Sequence, residues 1–321
     1  MYGYDIFHDN LMKTLIDAVR RGVNSHAYIF EGGFGLNIAE AANLFAAALT
    51  CTNSEAAPCG SCPSCTTAKA NTNPDIIFVN PDKNRKTIGI NNIRAMEAGA
   101  VITPLAGKRK VYIFSDASII TREAQNALLK TLEEPPEYVV FIILTENSDN
   151  LLQTIRSRAV IVNFPPVSEI TVRKYISENY PEAADRLDFL AKYCDGVPKR
   201  ADNIIADAEF EPFRQSAFDE LPLLLSGRAM DTFKLQDFVS KNTNRFTLLT
   251  EFWMSFLRDV LLLQTNVDSG IINADKTDGL RSLCALYEPQ KIVSMIDSLA
   301  TAQKMAARYV KPKAIVYWLT L

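Results

Sequence analysis

The stretch His26-Ala-Tyr-Ile-Phe-Glu-Gly-Gly-Phe-Gly-Leu-Asn-Ile-Ala39 combines an apolar run, a glycine-rich turn and the start of an alanine-rich segment. This order is typical of the phosphate-binding loop, whose motif G-x-x-x-x-G-K-[ST] supplies backbone amides, a lysine and a hydroxyl to phosphate and Mg²⁺. Gly32 opens this spacing and Gly35 lies inside it. The three positions that close the motif hold other residues, namely Asn37, Ile38 and Ala39. The sequence therefore predicts a strand, turn and helix with the outline of the loop but without its cation and metal ligand. An ordinary strand, turn and helix is the alternative interpretation.

The composition is that of an ordinary globular protein. The 321 residues are 48% hydrophobic and 22% charged, which suits two or three domains with a sizeable core. The formal net charge of -3 gives no overall attraction to nucleic acid, so we expect proteins to be the main partners and DNA contacts to be local or made through partner subunits. Neither a secretory leader nor an apolar stretch of membrane-spanning length is evident, so we expect a cytoplasmic location without membrane contact.

Four of the six cysteines lie close together in the sequence, at Cys51, Cys59, Cys62 and Cys65. Two of the gaps are C-x₂-C, the spacing that lets neighbouring thiolates share one tetrahedral Zn²⁺. Because all four ligand positions would be filled, such a zinc would be structural and would leave no site for catalytic water. Free or redox-active thiols remain the alternative. Cys194 and Cys284 are isolated, and we expect them to be buried apolar residues.

Further apolar runs and helical patterns predict an α/β domain with a buried parallel sheet. The predicted strands are Ile76–Val79, Val111–Asp116 and Val139–Leu144, with helices over Ile90–Ala100 and Thr121–Glu134. The second of these strands ends in Ser115 and Asp116, where a phosphate-loop nucleotidase carries the acidic pair that holds Mg²⁺. With Ser115 in the metal-binding acidic position, the sequence predicts a degenerate version of that pair. A turn or helix cap is the alternative for Asp116 alone.

Several motifs occur together with the turn and the cysteines. They are Asn73-Pro-Asp75, Thr121-Arg-Glu-Ala-Gln-Asn-Ala-Leu-Leu-Lys-Thr-Leu-Glu-Glu-Pro-Pro136 and Arg156-Ser-Arg158. In this order they resemble the AAA+ subunits of the bacterial DNA polymerase III clamp loader, over about residues 8–165 and more faintly beyond. The resemblance implies a replication protein that works in a hetero-pentamer with motor subunits and a delta subunit. Through that complex it would act on the sliding clamp and primed DNA.

The resemblance also implies roles for individual residues. Motor subunits of the family have an intact phosphate loop, so Asn37, Ile38 and Ala39 imply a member that does not hydrolyse ATP. Thr145 matches the family's sensor threonine, and a structural strand-end hydroxyl is its alternative. Arg158 matches the arginine that reaches the γ-phosphate of a neighbouring subunit, although Ala159 replaces the cysteine that usually follows it. Arg156 is the competing candidate for that arginine finger.

The resemblance implies three domains. An AAA+ domain with the zinc knuckle at 51–65 occupies residues 1–165, a helical lid 166–208, and a helical collar for oligomerisation 209–321. The family's second sensor would fall on Lys199 or Arg200. The long apolar helix around Phe252 and Trp253 is expected to be core.

The sequence thus predicts a non-hydrolysing clamp-loader subunit that supplies Arg158 to a neighbouring ATPase. No ATPase activity is expected of the chain alone, although it would belong to the DNA-directed DNA polymerase holoenzyme. The alternatives are an ATP-hydrolysing motor subunit of the same complex, or a zinc-containing DNA-binding protein that acts alone.

Overall fold

The computed structural model describes residues 7–82, 85–267 and 269–320. The chain divides into two compact units at Val172 and Arg173, and the short segment Gly196–Lys199 belongs with the first unit. The first unit contains the elements α1 Asp9–Arg20, β1 Ala27–Glu31, α2 Ile38–Thr50, α3 Pro63–Lys69, β2 Ile76–Val79, α4 Ile90–Ala100, β3 Lys110–Phe114, α5 Arg122–Glu133, β4 Val139–Thr145, α6 Gln153–Arg156 and β5 Val160–Asn163.

The remaining elements are helices. They are α7 Glu169–Asn179, α8 Leu187–Tyr193, α9 Arg200–Ala206, α10 Phe210–Ser226, α11 Ala229–Lys241, α12 Phe246–Gln264, α13 Thr277–Leu286, α14 Pro289–Ala307 and α15 Pro312–Leu319. The predicted division between lid and collar at 208/209 stays a prediction, because residues on both sides of it fall in the second unit.

The five strands form one parallel sheet in the order β2-β3-β4-β1-β5. Alternate residues enter two apolar layers: Tyr28 and Phe30 of β1 pack with α1 and α2, whereas Ala27 and Ile29 pack with α4 and α5 on the other face. Because both faces are covered, the central strands read as continuous apolar runs. The predicted parallel α/β fold is confirmed.

Strand β2 differs from the doubly covered strand that the sequence predicts. It lies at the edge of the sheet beside β3, and its Phe78 is 41% exposed. An apolar run of four residues looks the same at an edge as at the centre, because the order of strands depends on the crossovers and not on the strand itself.

The aromatic residues of α12 form the core of the helical unit, as predicted. Phe252, Trp253 and Phe256 have no exposed surface, and the Trp253 indole donates a 2.9 Å hydrogen bond to the Ala217 carbonyl of α10. A buried indole usually finds such a partner. Across the three described ranges, no helix is both long enough and apolar enough to cross a membrane.

Candidate functional site

The glycine-rich turn leaves the carboxyl end of β1, an interior strand between β4 and β5, and ligands of open parallel sheets bind at the carboxyl ends of the strands. Gly32 is in tight contact with the chain beyond β5: a Cβ atom there would lie 2.7 Å from the Phe164 carbonyl oxygen and 2.8 Å from its Cβ. Gly33 is different, since a Cβ atom there would meet nothing closer than 3.9 Å. Gly32 is therefore required by packing, independently of any ligand.

Of the three residues that replace the end of the phosphate-loop motif, Asn37 and Ile38 are buried, whereas Ala39 is exposed in the first turn of α2. Asn37 is 2% exposed and precedes α2 in the left-handed conformation, with φ 59° and ψ 36°. Ile38, at the position of the loop lysine, has no exposed surface and belongs to the apolar layer under α2. A lysine at this position would have to leave that layer to reach a phosphate, because burying an unpaired ammonium is costly.

Ser115 and Asp116, predicted as a degenerate acidic pair at the end of β3, both form hydrogen bonds with other residues of the chain. The strand ends at Phe114, two residues earlier than predicted, because Asp116 caps a 3₁₀ turn over Ala117–Ile119. The Asp116 carboxylate accepts hydrogen bonds from the amide and the hydroxyl of Ser118, at 2.8 and 2.7 Å. Ser115 donates to the Asn80 side chain at 3.1 Å.

Thr145 ends β4 and has no exposed surface. Its hydroxyl donates to the Asn147 carbonyl at 2.8 Å and accepts from the Asn147 amide at 3.1 Å. The hydroxyl closes a local turn, which is the structural role that the sequence left as the alternative to a sensor.

Of the two candidates for the second sensor, Lys199 lies beside the glycine-rich turn. Its amide donates to the Gly35 carbonyl at 3.3 Å, and its ammonium lies 3.4 Å from the Glu40 carboxylate on α2. Arg200 instead pairs with Glu251 of α12 at 2.6 Å. The structure therefore brings Lys199, and not Arg200, to the loop.

The two arginines before β5 have separate partners. Arg158 contacts the Glu133 carboxylate at 2.7 Å and the Thr154 carbonyl at 2.9 Å, and its side chain is 35% exposed. Arg156 pairs with Asp149 at 2.6 Å. Sequence analysis missed Glu133, because nothing in the spacing of α5 indicates that its last residue meets an arginine 25 positions further along the chain.

The four predicted ligand cysteines converge on one point. Their sulfur atoms all lie within 4.8 Å of one another, and the Cys51–Cys62 and Cys59–Cys65 pairs are each 4.0 Å apart. A Zn–S bond of about 2.3 Å places sulfurs about 3.8 Å apart in a tetrahedron, so the cluster fits a metal of that size. Cys194 and Cys284 lie outside this cluster; Cys194 is buried as expected, whereas Cys284 is only partly buried.

The protonation of the cluster is uneven. Burial raises the pKa of the Cys51 thiol to about 12. Hydrogen bonds from the amide and hydroxyl of Ser61 and from the Cys62 amide lower the pKa of Cys59 to about 6. At neutral pH Cys59 is therefore a ready thiolate ligand, while Cys51 must release a proton when a metal binds.

These features define a parallel α/β domain with a tetracysteine cluster, followed by helices. A family model described as "DNA polymerase III, delta subunit" matches residues 7–168, and one described as "DNA polymerase III, delta subunit, C terminal" matches residues 213–309. The chain belongs to this family of DNA polymerase III delta subunits.

Three relatives illustrate the relationship. The chain is 28% identical over 316 residues to DNA polymerase III subunit delta' of Bacillus subtilis, covering 97% of this chain and 94% of that protein. It is 32% identical over 186 residues to subunit delta' of Pseudomonas aeruginosa, covering 57% of each. It is 30% identical over 194 residues to subunit tau/gamma of Haemophilus influenzae, where it covers 59% of this chain and only 28% of the longer protein.

The two adjacent glycines of the turn provide a matched test of its packing. We expect Gly32→Ala to lower the free energy of unfolding by about 1–3 kcal/mol, because the new Cβ would overlap the backbone at Phe164. Gly33→Ala should change it by less than about 0.5 kcal/mol. Urea unfolding of both variants measures the difference, and equal stabilities would contradict the close approach at Gly32.

Proposed function

We propose that the chain is a subunit of the DNA polymerase III clamp loader that neither binds nor hydrolyses ATP, and that it helps to load the sliding clamp onto primed DNA during replication. Family membership supports the clamp-loader role. The observation that carries the nucleotide-inert part is Ile38, which is fully buried where a working loop has its lysine. Its partners would be motor subunits, which relatives named tau/gamma represent, and a delta subunit.

Other residues at the carboxyl ends of the strands also support a loop that does not bind nucleotide. Triphosphate binding needs a cation for the β/γ charge, and hydrolysis needs acidic groups free to hold Mg²⁺. Asp116 is the one carboxylate of this pair, since Ser115 takes the other position, and both of its oxygens already accept from Ser118. We propose that Lys199 occupies the second-sensor position, and that its contact with Glu40 is part of the inert state.

The first experiment is equilibrium dialysis of the purified chain with Mg²⁺ and millimolar ATP. We expect no saturable binding, because the site supplies neither the loop lysine nor an accessible acidic pair. A tau/gamma motor subunit dialysed alongside provides the positive control. Saturable binding with turnover would contradict the proposal and favour an ATP-hydrolysing motor subunit.

We propose that Arg158 acts as an arginine finger in the ATP site of a neighbouring subunit. Its partner within the chain is Glu133, and the pair is partly exposed, with 35% and 52% of the two side chains accessible. Exposed ion pairs are worth only about 0–1 kcal/mol, so a γ-phosphate could replace Glu133 at small cost. A guanidinium can bind phosphoryl oxygens in a bidentate manner and stabilise their charge in the transition state.

In the reconstituted clamp loader, we expect Arg158→Ala to leave assembly intact and to slow ATP hydrolysis at one motor site, where a finger contributes ~10³–10⁵ in rate. Arg156→Ala is the matched control, since Arg156 has a similar ion pair with Asp149. Single-turnover hydrolysis and gel filtration report the two effects. If Arg156→Ala slows hydrolysis and Arg158→Ala does not, the roles are reversed.

We propose that the cysteine cluster holds one structural zinc ion. Thiolate ligands at C-x₂-C spacing and sulfurs within 4.8 Å of one another support this assignment. The ion would link the end of α2 to α3 and would take no part in chemistry, because four protein ligands complete its shell. Residues 1–165, 166–208 and 209–321 remain our proposed AAA+, lid and collar domains.

Metal analysis tests the zinc proposal. We expect one zinc per chain in the wild-type protein, and loss of that zinc in Cys59→Ser, because one of four ligands is removed. Cys284→Ser is the matched control, since Cys284 lies outside the cluster and contacts the Val260 carbonyl. Equal zinc content in both variants would contradict the assignment.

A further inference from the structure

A loop after α4 combines an unusual surface with a fixed backbone. The Val101–Gly107 loop, as we call residues 101–107, exposes three large aliphatic side chains, with Val101 76%, Ile102 58% and Leu105 78% accessible. Apolar residues scattered singly on a surface are common, but three within five positions are not explained by that scatter. The backbone that carries them is nevertheless held by buried polar side chains.

Asp75 is the main anchor of this loop. Its carboxylate is completely buried and accepts hydrogen bonds from the amides of Leu105, Ala106 and Gly107, at 2.7, 2.7 and 2.8 Å. Three charge-assisted bonds to consecutive amides fix the turn, since a carboxylate moved elsewhere in a dry interior would lose all of them.

Lys110 and Tyr138 hold the start of the loop. Lys110 is only 5% exposed. Its ammonium donates hydrogen bonds to the carbonyls of Gly99 and Ile102, at 3.1 and 2.7 Å. The Tyr138 hydroxyl donates to the Val101 carbonyl at 2.9 Å. The exposed aliphatic side chains are therefore presented by an ordered backbone.

Asn73 connects Asp75 to the cysteine knuckle. The Asn73 side-chain oxygen accepts from the Asp75 amide at 2.8 Å, and its nitrogen donates to the carbonyl and hydroxyl of Ser64 at 2.8 and 2.9 Å. Ser64 in turn donates to the Thr50 hydroxyl at 2.9 Å. Thr50 and Ser64 are fully buried, and each immediately precedes a ligand cysteine, Cys51 or Cys65 in turn.

A steric contact joins the same two regions. A Cβ atom at Gly107 would lie 2.3 Å from the Thr50 carbonyl oxygen, and the Lys108 amide donates to that oxygen at 3.3 Å. The loop thus packs directly on the last residue of α2, without room for a side chain between them.

We infer that the metal knuckle sets the conformation of the Val101–Gly107 loop, and that Asn73 and Asp75 transmit its effect. This inference rests on the metal-binding role proposed above for the four cysteines. Without a metal, nothing covalent holds Cys51 near Cys65, so the neighbouring Thr50 and Ser64 lose the constraint that keeps their buried hydrogen bonds aligned. Because a buried polar network is costly when only partly satisfied, the disturbance passes to Asp75 and to the three amides that it holds.

Hydrogen–deuterium exchange of the full-length chain tests the inference, with metal content measured on the same samples. We expect chelation to speed exchange at Leu105–Gly107 by at least about tenfold, since each loses a buried hydrogen bond, while β4 remains unchanged. Unchanged exchange at Leu105–Gly107 after confirmed metal loss would overturn the inference. An equal rise over β4 would also overturn it, because the metal would then stabilise the whole unit. A chain that never holds metal would refute the zinc proposal and the inference with it, and the metal analysis distinguishes this outcome from unchanged exchange after confirmed metal loss.

Asn73→Ala tests the transmission without removing metal. We expect it to speed exchange at Leu105–Gly107 while the cysteines keep their normal protection from alkylation. Asn92→Ala is the matched control, because Asn92 anchors a different part of the same unit by accepting from the Gly89 amide at 2.9 Å. If both variants leave Leu105–Gly107 as protected as in the wild type, or affect it equally, Asn73 does not link the knuckle to the loop.

Discussion

The arrangement of this protein follows from a sheet of parallel strands that must be buried on both faces. Parallel strands need crossover helices, and those helices cover the sheet while bringing every carboxyl end to one edge. The turn after Glu31, the turn at Asp116 and the end of β4 at Thr145 therefore lie along the same edge. In a parallel sheet ligands are expected at that edge, so the hydrogen bonds of its polar side chains determine which of them are available to bind a ligand.

Here the polar groups of that edge are satisfied by their own chain. Asp116 binds Ser118, and Thr145 binds Asn147. The Glu31 carboxylate accepts from the Ser148 amide at 3.2 Å. At the same edge, the position of the loop lysine holds the buried Ile38. Arg158 contrasts with the polar groups of that edge, because its carboxylate partner is half exposed and easily exchanged. The exchangeable partner at Arg158 and the fixed polar contacts at the strand ends are the two features on which the proposed finger role of Arg158 rests.

Much of this could be predicted from sequence because it depends on local patterns. Apolar runs located the strands, and the spacing of four cysteines located the knuckle, since both signals lie within short segments. The edge position of β2 and the pairing of Arg158 with Glu133 were missed, because both depend on which distant segments the crossovers bring together. Lys199 and Arg200 show the same limit: one residue of register separates a side chain beside the glycine-rich turn from one paired with Glu251.

Buried aspartates were the hardest residues to interpret from sequence, and each compact unit depends on one. Asp75 holds three amides of the Val101–Gly107 loop. In the helical unit Asp259, also fully buried, accepts from the amides of Ile272 and Asn273 at 3.1 and 2.7 Å. Both carboxylates fix irregular backbone that no apolar face could hold, because backbone amides removed from water need acceptors and loops supply few. A hydrophobic pattern in the sequence identifies segments that pack apolar side chains in the core. The two buried aspartates instead fix the backbone of loops that contribute few side chains to the core. For that reason Asn73-Pro-Asp75, which looks in the sequence like a simple turn before a strand, determines the backbone conformation of a loop thirty residues further along the chain.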